Sequence, residues 1–468
     1  MATATKKIPT ELTAEEAAKA RRAFERRRPH GPRSKKPGDQ LMPMSRDPLG
    51  YMVKLAREYP DLSYIRLGNQ RTFLLSHPDY VHEVLVANDW NFLKGRGLRR
   101  AKKVLGNGLL TSEGNFHRRQ RRLSQPAFHR QRIAAYAETM SEYAARARDR
   151  WQAGDKRDIA HEMMSLTLAI VAKTLFDADV EAEAKEIGKA LSEVLEIFST
   201  FSSPLTEIVD KLPLPKNLRA KKGKERLDET IFRIIEERRN VSEDKGDLLS
   251  MLMAAQDEEE GSGGMSDEQL RDEVMTLFLA GHETTANALA WTWYLLSQHP
   301  EVEAKFHAEV DAVLGKRLAT VEDVANLKYT EQLVTESMRL YPPVWVVSRR
   351  SISGIKIGGY YIPPKSIMLC SQYVIHHDAR FYPEPEKFMP ERWTPEFQKG
   401  LPRTAYFPFG GGPRLCIGEQ FAWMEAILLL ATIAQKWQLR LVKGHKVEPQ
   451  PLITLRPKHG MKMIIEPR

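Results

Sequence analysis

The chain has 468 residues, 42% of them hydrophobic and 28% charged, which is far from the composition of disordered segments and ample for a buried core. Its net charge of +10 is mostly local, because eleven Lys/Arg and five acids fall within residues 1–40, and so small a remaining surplus argues against a nucleic-acid-binding protein. Two cysteines, Cys370 and Cys416, exclude a disulfide framework, a four-cysteine zinc site and a four-cysteine iron–sulfur cluster, and leave any cysteine chemistry to a single thiolate in a reducing cytoplasm.

The first residues, Met1 to Lys7, lack an apolar h-region and so do not form a secretory signal. Glu11, Glu15, Glu16 and Glu25 interrupt the Arg-rich start and count against a transit peptide. Residues 1–28 read as a charged helix that His30-Gly31-Pro32 and Pro37-Gly38 break. Residues 1–40 are therefore expected to form a basic, flexible tail, either a solubilising arm or a weak contact with anionic lipid. Folding is expected to start near Pro48, with residues 41–468 as a single domain. Ser63 to Leu75 reads as a hairpin about Gly68-Asn69, and His77 to Ala87 as a short helix. Apolar residues recur at helical spacing from Phe116 to Phe176, with further helical stretches over Glu181 to Ser199 and Arg226 to Arg239.

An acidic, Gly-rich loop from Asp257 to Gly264 is closed by Ser266-Asp267-Glu268-Gln269, which fits a capping box. From that cap a helical pattern runs to about Ser297, some 31 residues or about 46 Å. Such a helix crosses a whole molecule, and this one is apolar on nearly every face. It and the apolar stretch near 421–437 carry His282, Glu283 and Glu425, so neither reads as a transmembrane anchor. Helices over Val302 to Val313 and Tyr329 to Leu340, a Pro-rich, strand-like region (341–395), a glycine loop and a last helix from Glu419 to Trp437 complete a mainly α chain with small β-sheets.

The sharpest local signal runs from Phe407 to Gly418 and leads straight into an apolar helix. A cysteine just before a helix amino terminus feels the positive end of the macrodipole and unpaired amides, and both favour the thiolate, a soft-metal ligand. Flanking glycines let the backbone approach a flat object, and Arg414 can pair with an anionic group on it. By itself, a buried cysteine in a Gly-rich turn explains the same residues. The spacing Phe409-x-x-Gly412-x-Arg414-x-Cys416-x-Gly418, however, resembles the haem-binding loop of the cytochrome P450 family at every fixed position. The resemblance implies that Cys416 is the thiolate ligand of the iron of haem b (iron protoporphyrin IX), that Arg414 contacts a haem propionate, and that Phe409, Gly412 and Gly418 belong to the cofactor loop.

Ala280-Gly281-His282-Glu283-Thr284-Thr285 lies within the long helix. A helix-interior glycine costs about 1 kcal/mol relative to alanine, and Glu and Thr among apolar residues need partners or a task. Gly281 can open space beside the helix, Thr284 offers a hydroxyl and Glu283 a carboxylate for proton delivery. A Thr284 that only bonds back to a helix carbonyl is the bland alternative. The stretch resembles the family's oxygen-activation motif, which implies proton delivery by Glu283 and Thr284, with Ala280 and Gly281 against the haem. Position 286 is Ala, so His282-Glu283 is not a zinc-protease motif.

Glu336-Ser337-Met338-Arg339 and the later Pro390-Glu391-Arg392-Trp393 resemble the family's charge network, which implies that Glu336, Arg339 and Arg392 pair in the interior and support the haem loop. His117 and Arg121, four apart, and Arg349 are implied propionate contacts. Arg118, Arg119 and Arg122 form either a solvated face or a basic docking surface for an acidic electron donor. Thr276, Ala280, Trp345 and Val347 are candidates for the substrate pocket, and Phe198, Phe201 and Leu205 for an apolar lid; core packing accounts for each equally well.

The family resemblance thus implies a mainly α fold whose long central helix crosses over the haem, and a monooxygenase of the soluble bacterial type. It would hydroxylate or epoxidise an apolar fatty acid, terpenoid or steroid-like molecule. Electrons would come from NAD(P)H through a separate ferredoxin or flavodoxin and its reductase, to a cytoplasmic monomer. The alternatives are a hydrogen-peroxide-dependent peroxygenase and a non-catalytic haem-thiolate sensor, and the Glu283-Thr284 pair counts against both.

Overall fold

The computed structural model describes residues 15–468 apart from 181–182, 197–211, 213, 241–246, 255–264 and scattered positions before residue 40. The expected lid residues Phe198, Phe201 and Leu205 and the loop from Asp257 to Gly264 lie outside the described residues.

The core is built on α1 (Gly114–Ser124), α2 (Arg130–Arg150), α3 (Ile159–Phe176), α4 (Asp267–Gln298), α5 (Lys328–Leu340) and α6 (Glu419–Ala434). The helical spacing from Phe116 to Phe176 is therefore three helices. Pro126 falls in the 3-10 turn Gln125–Phe128 that separates the first two, and Gly154 (φ +86°) with the strand Lys156–Asp158 separates the next. Asp158 caps α3 by accepting from the amides of Ala160 and His161 at 3.2 and 3.4 Å.

The long helix α4 has 32 residues, about 48 Å of axis. It starts at the expected capping box: Ser266 Oγ accepts from the Gln269 amide at 3.3 Å and Gln269 Oε1 from the Ser266 amide at 3.1 Å. Val274, Phe278, Leu289, Trp291 and Trp293 are buried on several of its faces, which makes it a core helix rather than a surface one. Phe176 of α3 stacks on Phe278 (4.8 Å, 12°), and Trp291 stacks on Tyr341, just past α5 (4.1 Å, 6°). Among the described helices, α3 is long and apolar enough to cross a membrane, but 67% of it is buried inside the protein.

A five-stranded sheet lies beside this helical body, with strands β1 (Leu62–Leu67), β2 (Gln70–Leu75), β3 (Phe92–Lys94), β4 (Val347–Ser351) and β5 (Ile367–Cys370) in the order β1-β2-β5-β4-β3. β1 and β2 form the expected hairpin, turning at Gly68 with φ +61°, where glycine carries no Cβ penalty. β5 runs parallel to β2, while β4 is antiparallel to both β5 and β3. In the last pairing Lys94 sits opposite Arg349. Two cations more than 250 residues apart in sequence are thereby neighbours.

Ordered structure begins earlier than Pro48. Phe24 is buried, edge-on to Tyr64 (5.4 Å) and Phe73 (6.1 Å) of the hairpin, and the Tyr64 amide donates to His30 O at 2.9 Å. The expected flexible tail is thus docked on β1 and β2 over the described part of Phe24 to Gly31. One aromatic side chain covering an apolar sheet face outweighs the cluster of arginines around it. A helix over Leu41–Arg46, another over Arg96–Leu105 and the carboxy-terminal strands Trp437–Leu441 and Lys462–Pro467 were not expected from the sequence.

Candidate active site

A cavity of about 550 Å³ separates α4 from the loop ahead of α6. Its walls are mostly apolar, with Leu110, Val171, Leu277, Ala280 and Val344 among them.

The loop is folded on itself: the Gly410 amide donates to Phe407 O, the Leu415 amide to Gly412 O and the Cys416 amide to Phe409 O, each at 3.0 Å. Gly412 has φ +68°, and a Cβ there would lie 2.1 Å from Leu85 O. No other residue type fits that position. Phe409 packs on Trp423 of α6 (5.9 Å), and Gly418 is the residue before α6. Cys416 therefore stands where the sequence puts it, open to the cavity. Enough protein surrounds the sulfur, however, that burial pushes the thiol up to about 11, although the Gly418 amide and Arg121 pull it down. Desolvation thus opposes the thiolate that the helix terminus favours. Deprotonation has to accompany metal binding.

Basic residues gather on the cavity wall beside this loop. His117 and Arg121, both on α1, line the cavity with Arg349 of β4, Arg414 of the loop and Lys94 of β3. Arg121 Nη1 donates to Leu415 O at 2.6 Å, pinning the carbonyl next to Cys416. Arg414 donates to Phe92 O (2.9 Å) and pairs with Glu113 (3.1 Å), whose other oxygen accepts from the Lys94 amide. Lys94 Nζ donates to Leu109 O and Ser112 O at 2.9 and 2.8 Å, and burial lowers its ammonium to about 7. His117 is buried and surrounded by these cations, so burial first and then their charge lower it to about 3, leaving a neutral ring. Arg349 is 6% exposed, and its hydrogen bond goes to Ser348 O, with no ion pair to a carboxylate among the described residues. Burial lowers it to about 10.

On α4, Ala280, Gly281, Glu283 and Thr284 all line the cavity. Thr284 Oγ1 donates to Ala280 O at 2.7 Å, which is the back-bond of the bland reading, made by a side chain on the cavity wall. Gly281 does not leave space: a Cβ there would meet Val171 of α3 at 2.9 Å, so its missing side chain admits the neighbouring helix. Glu283 is buried and fixed, paired with Arg456 Nε at 2.6 Å and accepting from the Thr454 hydroxyl. Thr454 also accepts from Asn287 Nδ2 at 3.2 Å, and Trp291 Nε1 donates to Leu455 O at 3.0 Å, so α4 holds the whole segment.

Glu336, Arg339 and Arg392 meet in the interior as expected. Glu336 takes two bonds from Arg339 (both 2.9 Å), one from Arg392 (2.9 Å), one from Trp393 Nε1 (2.8 Å) and one from the Met389 amide (3.1 Å). Arg339 also donates to His376 O at 2.8 Å, and His376 Nε2 accepts from the Phe407 amide at 3.3 Å. That chain of bonds ties the network to the first residue of the cysteine loop.

Comparison with known proteins now decides the family. The cytochrome P450 family model matches residues 40–464. The chain belongs to the cytochrome P450 family. Cyclooctatin synthase of Streptomyces melanosporofaciens is 43% identical to it, over 91% of this chain and 92% of that protein. Cyclooctat-9-en-7-ol 5-monooxygenase of the same organism is 40% identical (86% and 87% covered), and pentalenene oxygenase of Streptomyces avermitilis 35% (88% and 91%). Among solved structures, a retinoic-acid-bound cyanobacterial P450 superposes with a TM-score of 0.83 over 94% of this chain and 99% of that one, at 24% identity. This P450 is a monooxygenase of the mainly α family fold with small sheets. Members of the family bind haem, act on apolar molecules and draw electrons from redox partners.

The residues fit a haem. Three arginines and Lys94 outnumber the carboxylate of Glu113 on the wall next to Cys416, and Arg349 in particular is a buried cation in want of an anion. This yields an expected result with opposite signs. Arg349→Leu removes an unpaired charge from the interior and should stabilise the haem-free P450 by about 1–3 kcal/mol in denaturant unfolding. The same change should weaken haem binding about tenfold or more in a spectroscopic titration, because a charge-assisted bond to a carboxylate is lost. A variant that binds haem as tightly as the wild type would remove Arg349 from the site.

Thr276, Ala280, Trp345 and Val347 line the cavity as expected. Trp345 is also structural, since its Nε1 donates to Leu452 O at 2.9 Å. Sequence reading missed Lys94, Glu113, Arg456 and Gln372. Gln372 is a fully buried residue of the cavity wall whose side-chain amide has no partner among the described residues. Glu425 of α6 was read only as a charge interrupting an apolar stretch. It is fully buried beside Thr285, the neighbour of Thr284 on α4, and burial pushes its carboxyl well above the usual carboxylate range. A carboxylate inside an otherwise apolar helix was the one signal that could have found it.

Proposed function

We propose that this P450 hydroxylates a cyclic terpenoid, with Cys416 holding the haem iron and Arg349, Lys94, His117, Arg121 and Arg414 receiving the haem carboxylates. The observation that carries the substrate class is the apolar cavity of about 550 Å³ above Cys416, a size suited to a compact hydrocarbon skeleton, in a chain 35–43% identical to proteins named for cyclooctatin, cyclooctat-9-en-7-ol and pentalenene. Thiolate-ligated haem, when bound, supplies the activation of dioxygen and the oxidation of an unactivated carbon. The protein's task is to exclude water, to orient the substrate and to move protons. The Thr284 hydroxyl holds a proton at Oγ1 on the cavity wall. Glu283 relays protons from the side of Arg456 and Thr454, which hold its carboxylate in one place.

Electrons come from NAD(P)H through a ferredoxin or flavodoxin and its reductase, to a monomer in the cytoplasm. The docking surface is the shallow basic cleft formed by Arg118, Arg122, His129 and Pro413 on the side of the cysteine loop, where opposite charge steers an acidic donor.

The test is turnover of cyclooctat-9-en-7-ol or pentalenene by the haem-loaded protein with a ferredoxin, its reductase and NAD(P)H. A product carrying one atom from labelled dioxygen supports the reading. Product formed from hydrogen peroxide alone at a comparable rate would replace it with a peroxygenase. Thr284→Ala is expected to keep haem and its carbonyl spectrum while product per NAD(P)H falls about tenfold or more, the contribution typical of a positioned proton donor. Unchanged coupling would take the proton-delivery role from Thr284.

A further inference from the structure

Four threonines stand on α4, and three of them close onto their own helix. Thr284, Thr285 and Thr292 donate to the carbonyl one turn earlier, at 2.7, 3.4 and 2.7 Å, the usual recourse of a threonine inside a helix. The fourth does not. Thr276 is 3% exposed and lines the cavity, yet its Oγ1 has no hydrogen-bond partner among the described residues. The hydroxyl lies against Gly108, where a Cβ would stand 2.3 Å from it. Glu273, one turn earlier on the same face, is also buried. It accepts from the Leu109 amide through Oε2 at 2.9 Å and is left with Oε1 unpartnered. Helix and loop thus bring together two polar atoms with nothing to bond, beside a mostly apolar wall.

Leaving a buried hydroxyl unpaired is costly, and packing alone would be served better by valine. Threonine in a helix divides between two χ1 rotamers. With no bond to hold it in the present one, the Thr276 hydroxyl can turn to the cavity that the residue lines when a partner stands there. That partner is neutral, because the Glu273 carboxyl one turn away disfavours an anion. It also offers a proton, since Thr276 Oγ1 and Glu273 Oε1 are both able to accept. A hydroxyl meets both demands.

We infer that Thr276 binds a hydroxyl group already present on the substrate, which makes it a specificity residue and makes the substrate a terpenoid alcohol. This rests on the terpenoid reading above. The reaction that supplies such a substrate is an earlier hydroxylation, or a cyclisation that ends by capture of water. Thr276 and Thr284 are eight residues apart on α4, about 12 Å along its axis, with Ala280 of the cavity wall between them. An alcohol held at Thr276 therefore presents a carbon remote from its hydroxyl to the Thr284 end.

The experiment measures the spin-state shift of the full-length, haem-loaded protein with cyclooctat-9-en-7-ol, and with the same hydrocarbon lacking the 7-hydroxyl. The expected result is tighter binding of the alcohol by about three- to tenfold, the worth of one neutral hydrogen bond. Thr276→Val should remove that preference while keeping the carbonyl spectrum and the affinity for the hydrocarbon, and Thr276→Ser should restore it. A residue that only packs would change both affinities together. Equal binding of the two ligands by the wild type, or a preference that survives Thr276→Val, would overturn the assignment alone. Absence of a shift with either ligand would overturn the terpenoid reading and the assignment with it. Gln372, just past β5, is the other cavity-wall residue whose buried side chain lacks a partner among the described residues. Loss of the preference in Gln372→Leu, with Thr276→Val unchanged, would overturn the assignment and move the anchor there.

Discussion

Replacing Cys416 with serine should abolish the far-red Soret band that the reduced, carbon-monoxide-treated P450 is expected to show, and with it monooxygenase turnover. The argument rests on the sulfur's position. Cys416 is held by its own amide bond to Phe409 O and by Arg121 on the adjacent carbonyl of Leu415, so serine would occupy the same place with a far weaker donor atom. The other cysteine, Cys370, is buried in β5 with its thiol pushed up to about 12, and it does not line the cavity. It offers no substitute. Because burial pushes the Cys416 thiol up, binding of the iron should displace its proton. A variant with an unaltered carbonyl spectrum would mean that the iron is held by another residue.

Glu336→Gln should cost about 3–5 kcal/mol of stability, because it leaves Arg339 and Arg392 facing one another with no carboxylate between them. All three side chains are at most 5% exposed, so water cannot take over the lost role. The damage should reach the cofactor, since Arg339 binds His376 O and His376 Nε2 accepts from Phe407 at the head of the cysteine loop. Set against a total stability of about 5–15 kcal/mol for a folded protein, a loss of this size lowers the folded yield and the haem content together. Denaturant unfolding and the carbonyl spectrum measure the two. A variant with normal haem retention would show that the surrounding carbonyls of Pro383, Pro385 and Lys387 screen the two arginines without Glu336.

The cysteine loop, the motif on α4 and the charge network were legible because each is a short run of residues whose spacing is fixed by local backbone geometry. The hairpin at Gly68 and the cap at Ser266 were legible for the same reason. Arg349 and Arg414 could be named, but the cradle they share with Lys94 could not, because Lys94 joins them only through the pairing of β3 with β4. Glu283 was named for proton transfer, and nothing near it in sequence announces Arg456, 173 residues on. Gly281 shows the converse: the sequence marks it as special, but which neighbour uses the missing side chain depends on how α3 packs.

By itself the sequence determined the family, the long central helix and the chemistry available at Cys416, Glu283 and Thr284. Only the tertiary structure decided the partners and the burial of those groups. The thiol is pushed towards neutrality, His117 is neutral, Arg349 lacks an acid and Phe24 is docked on the sheet. The reason is physical: spacing along the chain sets which side chains share a turn or a face, whereas desolvation and ion pairing depend on everything within a few ångströms, most of which comes from distant parts of the chain.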